Sequence, residues 1–425
     1  MSYVIVEGGN RLEGEVLLQG SKNGTLPILA ASVLCKGQVT LRHCPRISDV
    51  TDLLEALSLA GVKSRWEKDT LYLDAENGTP VYLEDRMAQK TRGGVLFLGA
   101  FLGRFGEASM AYPGGCVIGA RPIDLHCKVF RSMQVALEER PEGVYAKGRP
   151  KGCRITLSYP SVGATENAVL AAACGEGITE IFGAAKEPEV KTLCEFINRA
   201  GGCVSGGGSD RIVVKGVKHL HGTEYEIPGD RIVAGTYLCA AAMTDGEVIV
   251  NRTRGVCMAG IINWLERAGL RLFTEQDRIG CRRQGTLVPI KGLVTAPHPG
   301  SPTDMQSQMI ALLCAAPGES SVTETVFESR FGVVTQLCRM GASVKREGDR
   351  VLIQGGRLLH GASVKATDLR SGAALITAAL AAEGRTILQG YEFVTRGYER
   401  ICEVLGCLGA KIKQGDEILT QGEET

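Results

Sequence analysis

Six short stretches of this chain are apolar at nearly every position. They lack both the one-sided stripe of a surface helix and the alternation of a half-buried strand. The clearest is Ala373-Ala374-Leu375-Ile376-Thr377-Ala378-Ala379-Leu380. A helix that is apolar all round is predicted to be buried. The six helices open at Lys22-Asn23, Arg92-Gly93, Thr165-Glu166-Asn167, Asp230-Arg231, Asp304-Met305-Gln306 and Asp368-Leu369-Arg370. A glycine follows each one, as in Gly37-Gln38-Val39-Thr40-Leu41 and Gly246-Glu247-Val248-Ile249-Val250, where the residues after it alternate like a strand. A second mark is a helix end with glycine in the C′ position: Ala60-Gly61, Ala200-Gly201, Ala268-Gly269, Met340-Gly341 and Leu408-Gly409. Its degenerate copy carries Gln134 after Met133. Glycine at C′ ends a helix in the left-handed region. Both marks return every roughly 70 residues, the signature of an internal repeat. The chain is therefore α/β, built from six strand-helix-strand-helix-strand-strand units.

If the helices are buried, only their N-termini reach solvent, and those ends carry free N–H groups and partial positive charge. Asp at such a position reads equally well as an N-cap. Lys22, Arg92 and Arg370 do not, because a cation is disfavoured at a helix N-terminus unless an anion sits there too. Six polar tips aimed at one cleft would bind phosphate and carboxylate.

Bulk properties narrow the field. At 425 residues, two or three domains are expected. Lys and Arg total 48 against 47 acids, and a net charge of +1 gives no pull toward nucleic acid or a membrane surface. Aromatics are 5%, too few for platforms that stack single strands. The opening run Met1-Ser2-Tyr3-Val4-Ile5-Val6-Glu7 is too short for a signal-peptide core, and no stretch is long enough to span a membrane, so a cytosolic protein is expected. None of the 15 cysteines forms a C-x-x-C pair. Cys35, Cys174, Cys239 and Cys314 lie in helical apolar runs and read as core residues. Cys116 differs, because it sits in the glycine-rich run Pro113-Gly114-Gly115-Cys116, five residues before Arg121, where a nearby cation favours the thiolate. No H-E-x-x-H is present, and no glycine fingerprint stands between a strand and a helix, so zinc, dinucleotide and P-loop chemistry are poor readings.

Over essentially its whole length the sequence resembles the UDP-N-acetylglucosamine 1-carboxyvinyltransferase family of enolpyruvyl transferases. The resemblance rests on Gly20-Ser21-Lys22-Asn23, on the run from Pro113 through Cys116 to Arg121-Pro122-Ile123-Asp124-Leu125-His126, and on Ser161-Val162-Gly163. It continues at Lys186-Glu187-Pro188-Glu189, Pro302-Thr303-Asp304-Met305-Gln306, Thr323-Glu324-Thr325-Val326, Thr367-Asp368-Leu369-Arg370 and Arg396-Gly397-Tyr398-Glu399-Arg400. The family resemblance implies two similar domains of three units each, with the buried helices inside (an inside-out α/β barrel) and the active site in the cleft between them. It places residues 21–229, with the Cys loop at about 111–122, in the first domain, and 1–20 plus 230–425 in the second.

The same resemblance implies the chemistry. Phosphoenolpyruvate and UDP-N-acetylglucosamine are the expected substrates, and no metal or cofactor is expected because cations come from the chain itself. Cys116 is implied as the general acid at the enolpyruvyl methylene and as the site of a covalent phosphoenolpyruvate adduct. Asp304 is implied as the base for the sugar hydroxyl. Lys22, Arg121 and Arg396 match the family's phosphate-side groups, and Arg330 and Arg370 its carboxylate-side groups. Asn23, Arg92, Pro122, Ile123, Asp124, Leu125, Ser161, Val162, Gly163, Val326 and Asp368 match further substrate-binding positions. There are also departures: Val233 where an acid is usual, Phe393 and Thr395 where His and Asp are usual, an unfamiliar Asn251–Cys257 segment, and Tyr159 where some members carry Lys. Two other readings stay open: 3-phosphoshikimate as acceptor on the same fold, and a divergent paralogue that binds a UDP-sugar without turnover.

Overall fold

A computed structural model describes residues 2–84, 88, 92–113, 119, 122–253 and 255–415, the side chains of 92 and 256 excepted. The chain divides into two compact units. One comprises Gly20–Cys116 and Ala120–Pro228, and the other Met1–Gln19, Val117–Gly119 and Gly229–Thr425. The N-terminal strands explain the division. Tyr3–Glu7 lies between Arg385–Gln389 and Lys411–Gly415, antiparallel to both, and Glu13–Leu17 runs parallel to Glu247–Asn251. Glu224–Glu226 in turn pairs with Gln38–Arg42. Each unit is thus closed by strands from both of its sequence ends.

Among the described residues there are six four-stranded sheets, three per unit, and one two-stranded pair. Every four-stranded sheet repeats one pattern: an edge strand parallel to its neighbour, then two antiparallel pairings. In one unit these are Glu224–Glu226 with Gln38–Arg42, Thr70–Asp74 and Lys63–Glu67, and the sheets built on Glu107–Ala111 and Ile178–Phe182. In the other they are built on Glu247–Asn251, Gly318–Thr323 and Arg385–Gln389. The helix ends follow the pattern expected of them. Gly61, Gly201, Gly269, Gly341 and Gly409 all have φ between +79° and +102°, and Gln134 takes the same conformation at +61° without being glycine.

The apolar stretches form the helices Lys22–Ser32, Leu96–Phe105, Val162–Ala173, Arg231–Met243, Gln306–Ala315 and Leu369–Ala381, and nearly all their residues are buried. Among the described residues two large hydrophobic cores result, one per unit, with a small separate cluster of Ile123, Cys127 and Val144. In the unit containing Gly229–Thr425, the last three of these helices pack on one another and each lies on a sheet. In the other unit, Leu96–Phe105 packs most closely on Val162–Ala173. No helix among the described residues is long and apolar enough to cross a membrane.

The third helix opening needs correcting. It is not Thr165-Glu166-Asn167: the helix begins at Val162, and Ser161 caps it by accepting from Ala164 N at 3.3 Å. Thr165, Glu166 and Asn167 are buried within it. The small residues Gly163 and Ala164 hid the first turn, whereas a serine three residues ahead of a free N–H is an ordinary cap.

The close approach of two helices sets a testable limit. A β-carbon on Gly99 would stand 2.5 Å from Asn167 Oδ1 and 2.6 Å from Asn167 O. Both helices are buried and cannot move apart cheaply. Gly99→Ala is expected to lower the unfolding free energy by about 1–3 kcal/mol, the usual cost of overpacking. Chemical denaturation checks this, and an unchanged midpoint would contradict the packing described.

Candidate active site

In the unit containing Gly229–Thr425, the N-terminal ends of two buried helices converge on one carboxylate. Asp304 lies in the 3-10 turn Thr303–Met305 that leads into Gln306–Ala315, and the cap positions of these two elements are Pro302 and Met305. Its Oδ1 accepts from Arg330 Nη1 at 2.8 Å and its Oδ2 from Arg370 Nη2 at 2.7 Å. Charge-assisted bonds of this kind are about twice as strong as neutral ones. Arg330 and Arg370 are each only 4% exposed. Burial alone would raise the Asp304 carboxyl, but the Arg370 and Arg330 charges outweigh it and hold the group well below the usual carboxylate range. Burial likewise works against the Arg370 charge, and Asp304 beside it more than restores it, pushing its pKa up.

Each arginine has its own support. Arg330 ends a loop organised by buried Glu324, whose Oε1 accepts from Thr295 Oγ1 (2.9 Å), Val326 N (2.8 Å) and Phe327 N (3.1 Å). Glu324 Oε2 accepts from Thr303 Oγ1 at 2.9 Å, and Thr303 Oγ1 in turn accepts from Arg330 Nη1 at 3.0 Å. The Arg330 guanidinium lies 4.9 Å from the Phe327 ring centroid, and its buried Nε has no partner among the described residues. Arg370 stands in the first turn of Leu369–Ala381. Asp368 caps that helix: Oδ1 accepts from Arg370 N (2.9 Å) and Ser371 N (3.0 Å), and Oδ2 accepts from Thr367 Oγ1 (3.1 Å). The capping reading thus fits Asp368 and also Asp230, which caps Arg231–Met243, whereas Asp304 stands inside its turn, after the cap position at Pro302. Arg396 is half-buried just beyond the short helix Tyr391–Val394, and Val326 is half-buried on the Glu324 loop.

In the other unit, Ser21 caps Lys22–Ser32, and Lys22 Nζ stands 2.6 Å from Asp49 Oδ2, a carboxylate 3% exposed. The anion that a cation needs at such a helix end is supplied within the chain in both units, by Asp49 for Lys22 and by Asp304 for Arg370. Asn23 is half-buried in the same turn as Lys22. Asp124 opens the helix Asp124–Ser132, with Ile123 buried, Leu125 half-buried and Pro122 exposed. Ser161, Val162 and Gly163 form the half-buried start of Val162–Ala173.

Against that start lies His126, whose Cε1 is 3.1 Å from where a Gly163 β-carbon would be. Asn167 Oδ1 accepts from Gly99 N at 2.8 Å, so its Nδ2 donates to Val95 O (3.0 Å) and to His126 Nδ1 (2.7 Å). Burial pushes His126 down to about 4, so the imidazole is neutral near pH 7, with its proton on Nε2. Arg92 opens the 3-10 turn Arg92–Val95. Cys116 and Arg121 lie outside the described residues. Asp49, His126 and Glu324 had no assigned role in the sequence. The only signal was polarity inside or beside otherwise apolar segments.

The buried thiols are poor nucleophiles. Burial pushes Cys35, Cys194, Cys281 and Cys314 up to about 12, and Cys127 and Cys174 up to about 11. At neutral pH almost none of these is thiolate. The departures also have local explanations. Val233 is fully buried in the core. Phe393 packs on the same core, and Thr395 Oγ1 donates to Glu392 O at 3.0 Å.

This fold is shared with solved enolpyruvyl transferases. The enolpyruvyl transferase NikO from Streptomyces tendae superposes with a TM-score of 0.87 at 25% identity, over 97% of this chain and 98% of NikO. EPSP synthase from Acinetobacter baumannii shares the fold, with a TM-score of 0.73 at 19% identity, over 98% of this chain and all of that one. The sequence profile of EPSP synthase (3-phosphoshikimate 1-carboxyvinyltransferase) matches residues 6–405. UDP-N-acetylglucosamine 1-carboxyvinyltransferase 2 of Caldanaerobacter subterraneus subsp. tengcongensis is 44% identical over 96% of this chain and 98% of its own length. UDP-N-acetylglucosamine 1-carboxyvinyltransferase 1 of Staphylococcus aureus is 42% identical over 97% and 99%. The chain belongs to the UDP-N-acetylglucosamine 1-carboxyvinyltransferase family of enolpyruvyl transferases.

The clamp on Asp304 contributes to stability. A depressed carboxylate pKa stabilises the fold above the unfolded value of about 4, and the contribution is lost as pH falls through the folded value. Asp304→Asn leaves two buried guanidinium groups without their anion. It is expected to lower the unfolding free energy by about 3 kcal/mol at pH 7, with millimolar inorganic phosphate restoring part of the loss. Thermal or urea unfolding with and without phosphate checks this, and a variant as stable as the parent would contradict it.

Proposed function

We propose that this chain transfers the enolpyruvyl group of phosphoenolpyruvate to the 3-hydroxyl of UDP-N-acetylglucosamine and releases inorganic phosphate, the first committed step of peptidoglycan precursor synthesis. The observation that carries this reading is the clamp of Arg330 and Arg370 on the Asp304 carboxylate, at 2.8 and 2.7 Å. Two buried guanidinium groups converging on one carboxylate form a receptor for carboxylates. In the free chain Asp304 fills it, and in the reaction the carboxylate of phosphoenolpyruvate does. The exchange frees Asp304 from the charges that depress its pKa, so its basicity rises when the sugar hydroxyl needs a base.

The proton of that hydroxyl passes to Asp304 as its oxygen bonds C2 of phosphoenolpyruvate, and the Cys116 thiol protonates C3. The bond from C2 to the bridging phosphate oxygen then breaks, phosphate leaves with the bonding pair, C3 returns a proton to the Cys116 thiolate to restore the double bond, and Asp304 gives its proton to solvent. Lys22, Arg121 and Arg396 neutralise the phosphate. Asn23, Arg92, Pro122 to Leu125, Ser161 to Gly163 and Val326 hold the nucleotide sugar. Cys116 also forms the covalent phosphoenolpyruvate adduct, and its alkylation makes the protein a fosfomycin target. The substrates belong to the cytosol, and loss of the product stops wall growth, hence cell shape and division.

The test is phosphate release with phosphoenolpyruvate, with and without UDP-N-acetylglucosamine. Release is expected only when both are present, and Cys116→Ser is expected to reduce it by about 10²–10⁴-fold, the range for a general acid. Binding of the sugar nucleotide without release would favour the non-catalytic paralogue. Release with 3-phosphoshikimate instead would favour the other acceptor.

A further inference from the structure

Asp304 is not the only group that holds Arg330. Nη1 of Arg330 donates to Asp304 Oδ1 at 2.8 Å and also to Thr303 Oγ1 at 3.0 Å, while its buried Nε has no partner among the described residues. A guanidinium only donates, so Thr303 accepts from it and turns its own proton to Glu324 Oε2 at 2.9 Å. A continuous line of hydrogen bonds therefore runs from Glu324 through Thr303 and Arg330 to the Asp304 carboxylate.

Glu324 is firmly placed at the far end of that line. It is 3% exposed, and its Oε1 accepts from Val326 N (2.8 Å), Phe327 N (3.1 Å) and Thr295 Oγ1 (2.9 Å). Thr295 Oγ1 in turn accepts from Thr325 N at 3.0 Å. The bond to Phe327 N fixes the backbone of the residue whose ring centroid lies 4.9 Å from the Arg330 guanidinium, and Arg330 N donates to Phe327 O at 3.3 Å. Both the Thr303 hydroxyl and the aromatic face are thus set by Glu324, and neither uses the Asp304 carboxylate.

We infer that Glu324, acting through Thr303, is a positioning residue that keeps the Arg330 guanidinium aimed at the carboxylate site while Asp304 gives way to substrate. This rests on the reading in which the carboxylate of phosphoenolpyruvate replaces Asp304 on the two arginines. In that exchange Arg330 loses its bond to Asp304. A long arginine side chain has many rotamers, and the Thr303–Glu324 arm holds the one that receives the ligand, which lowers the ordering cost of binding. Glu324 touches neither substrate in this assignment; it acts through Thr303 and Arg330.

Steady-state kinetics of the full-length chain test the inference. Glu324→Gln keeps one oxygen for Val326 N and Phe327 N, so the loop is retained. Its new NH2 group faces Thr303, whose hydroxyl proton loses its acceptor. The variant is expected to raise KM for phosphoenolpyruvate about tenfold, the worth of one hydrogen bond to a charged group. KM for UDP-N-acetylglucosamine holds, and the loss falls on KM rather than kcat. Thr303→Val, which keeps the shape and removes the hydroxyl, should shift the same constant in the same direction, whereas Thr303→Ser, which keeps the hydroxyl, should stay near the parent. An unchanged KM for phosphoenolpyruvate in Glu324→Gln would overturn the inference. So would a Thr303→Ser variant as impaired as Thr303→Val, or a rise in both KM values together with a lower unfolding midpoint, which marks a merely structural role. If the parent protein shows no turnover, the proposed reaction fails on its own. The positioning role is then read from the thermal shift that phosphoenolpyruvate gives the parent and Glu324→Gln: a smaller shift in the variant supports it, and equal shifts overturn it.

Discussion

Two buried arginines facing one another are tolerable only with an anion between them, and the C-terminal part of this molecule is organised around that constraint. Bringing a guanidinium out of water costs several kcal/mol, which only a close, well-hydrogen-bonded counter-charge offsets. Asp304 supplies it, with one oxygen on each arginine. The surroundings hold the three groups in register: Glu324 ties the Arg330 loop to Thr303, and Asp368 caps the helix that carries Arg370. In the proposed reaction, a site held this firmly would take a substrate carboxylate by exchange, with little new ordering when the ligand arrives.

The repeat supplies the raw material. A helix apolar on all sides must be enclosed by sheet, and once enclosed it offers only its ends for chemistry. The same solution recurs at Lys22 in the other unit, where buried Asp49 pairs with a cation in the first turn. Duplication of a βαβαββ unit therefore produced several ion-ready helix tips at once. Chemistry then needed only side-chain changes at those tips, leaving the sheets alone. Val233, Phe393 and Thr395 show the tolerance of the scheme, because each is absorbed locally by the core or by a backbone carbonyl.

Much of this was legible in the sequence. The C′ glycines gave the repeat because their left-handed conformation is enforced by backbone sterics, and Gln134 kept that conformation even where the glycine was lost. The buried helices were legible from apolar runs, although the start at Ser161 was missed behind small residues. The importance of Asp304 and Arg370 was legible from position, and family resemblance supplied their roles. Their mutual pairing was not, because they are 66 residues apart in sequence and meet only through the packing of two helices. Asp49 and Glu324 were hidden for the same reason: a buried acid looks like a surface residue until its partner is known.

The central claim is that Asp304 is held ionised by two arginines until a substrate carboxylate replaces it. A carbon-13 NMR titration of the Asp304 carboxyl, free and with phosphoenolpyruvate bound, tests it most directly. The account predicts that in the free protein the group stays ionised below the ordinary carboxylate range, and that its titration moves upward when phosphoenolpyruvate occupies the arginines. An ordinary titration near pH 4 in the free protein, or no movement on binding, would contradict it.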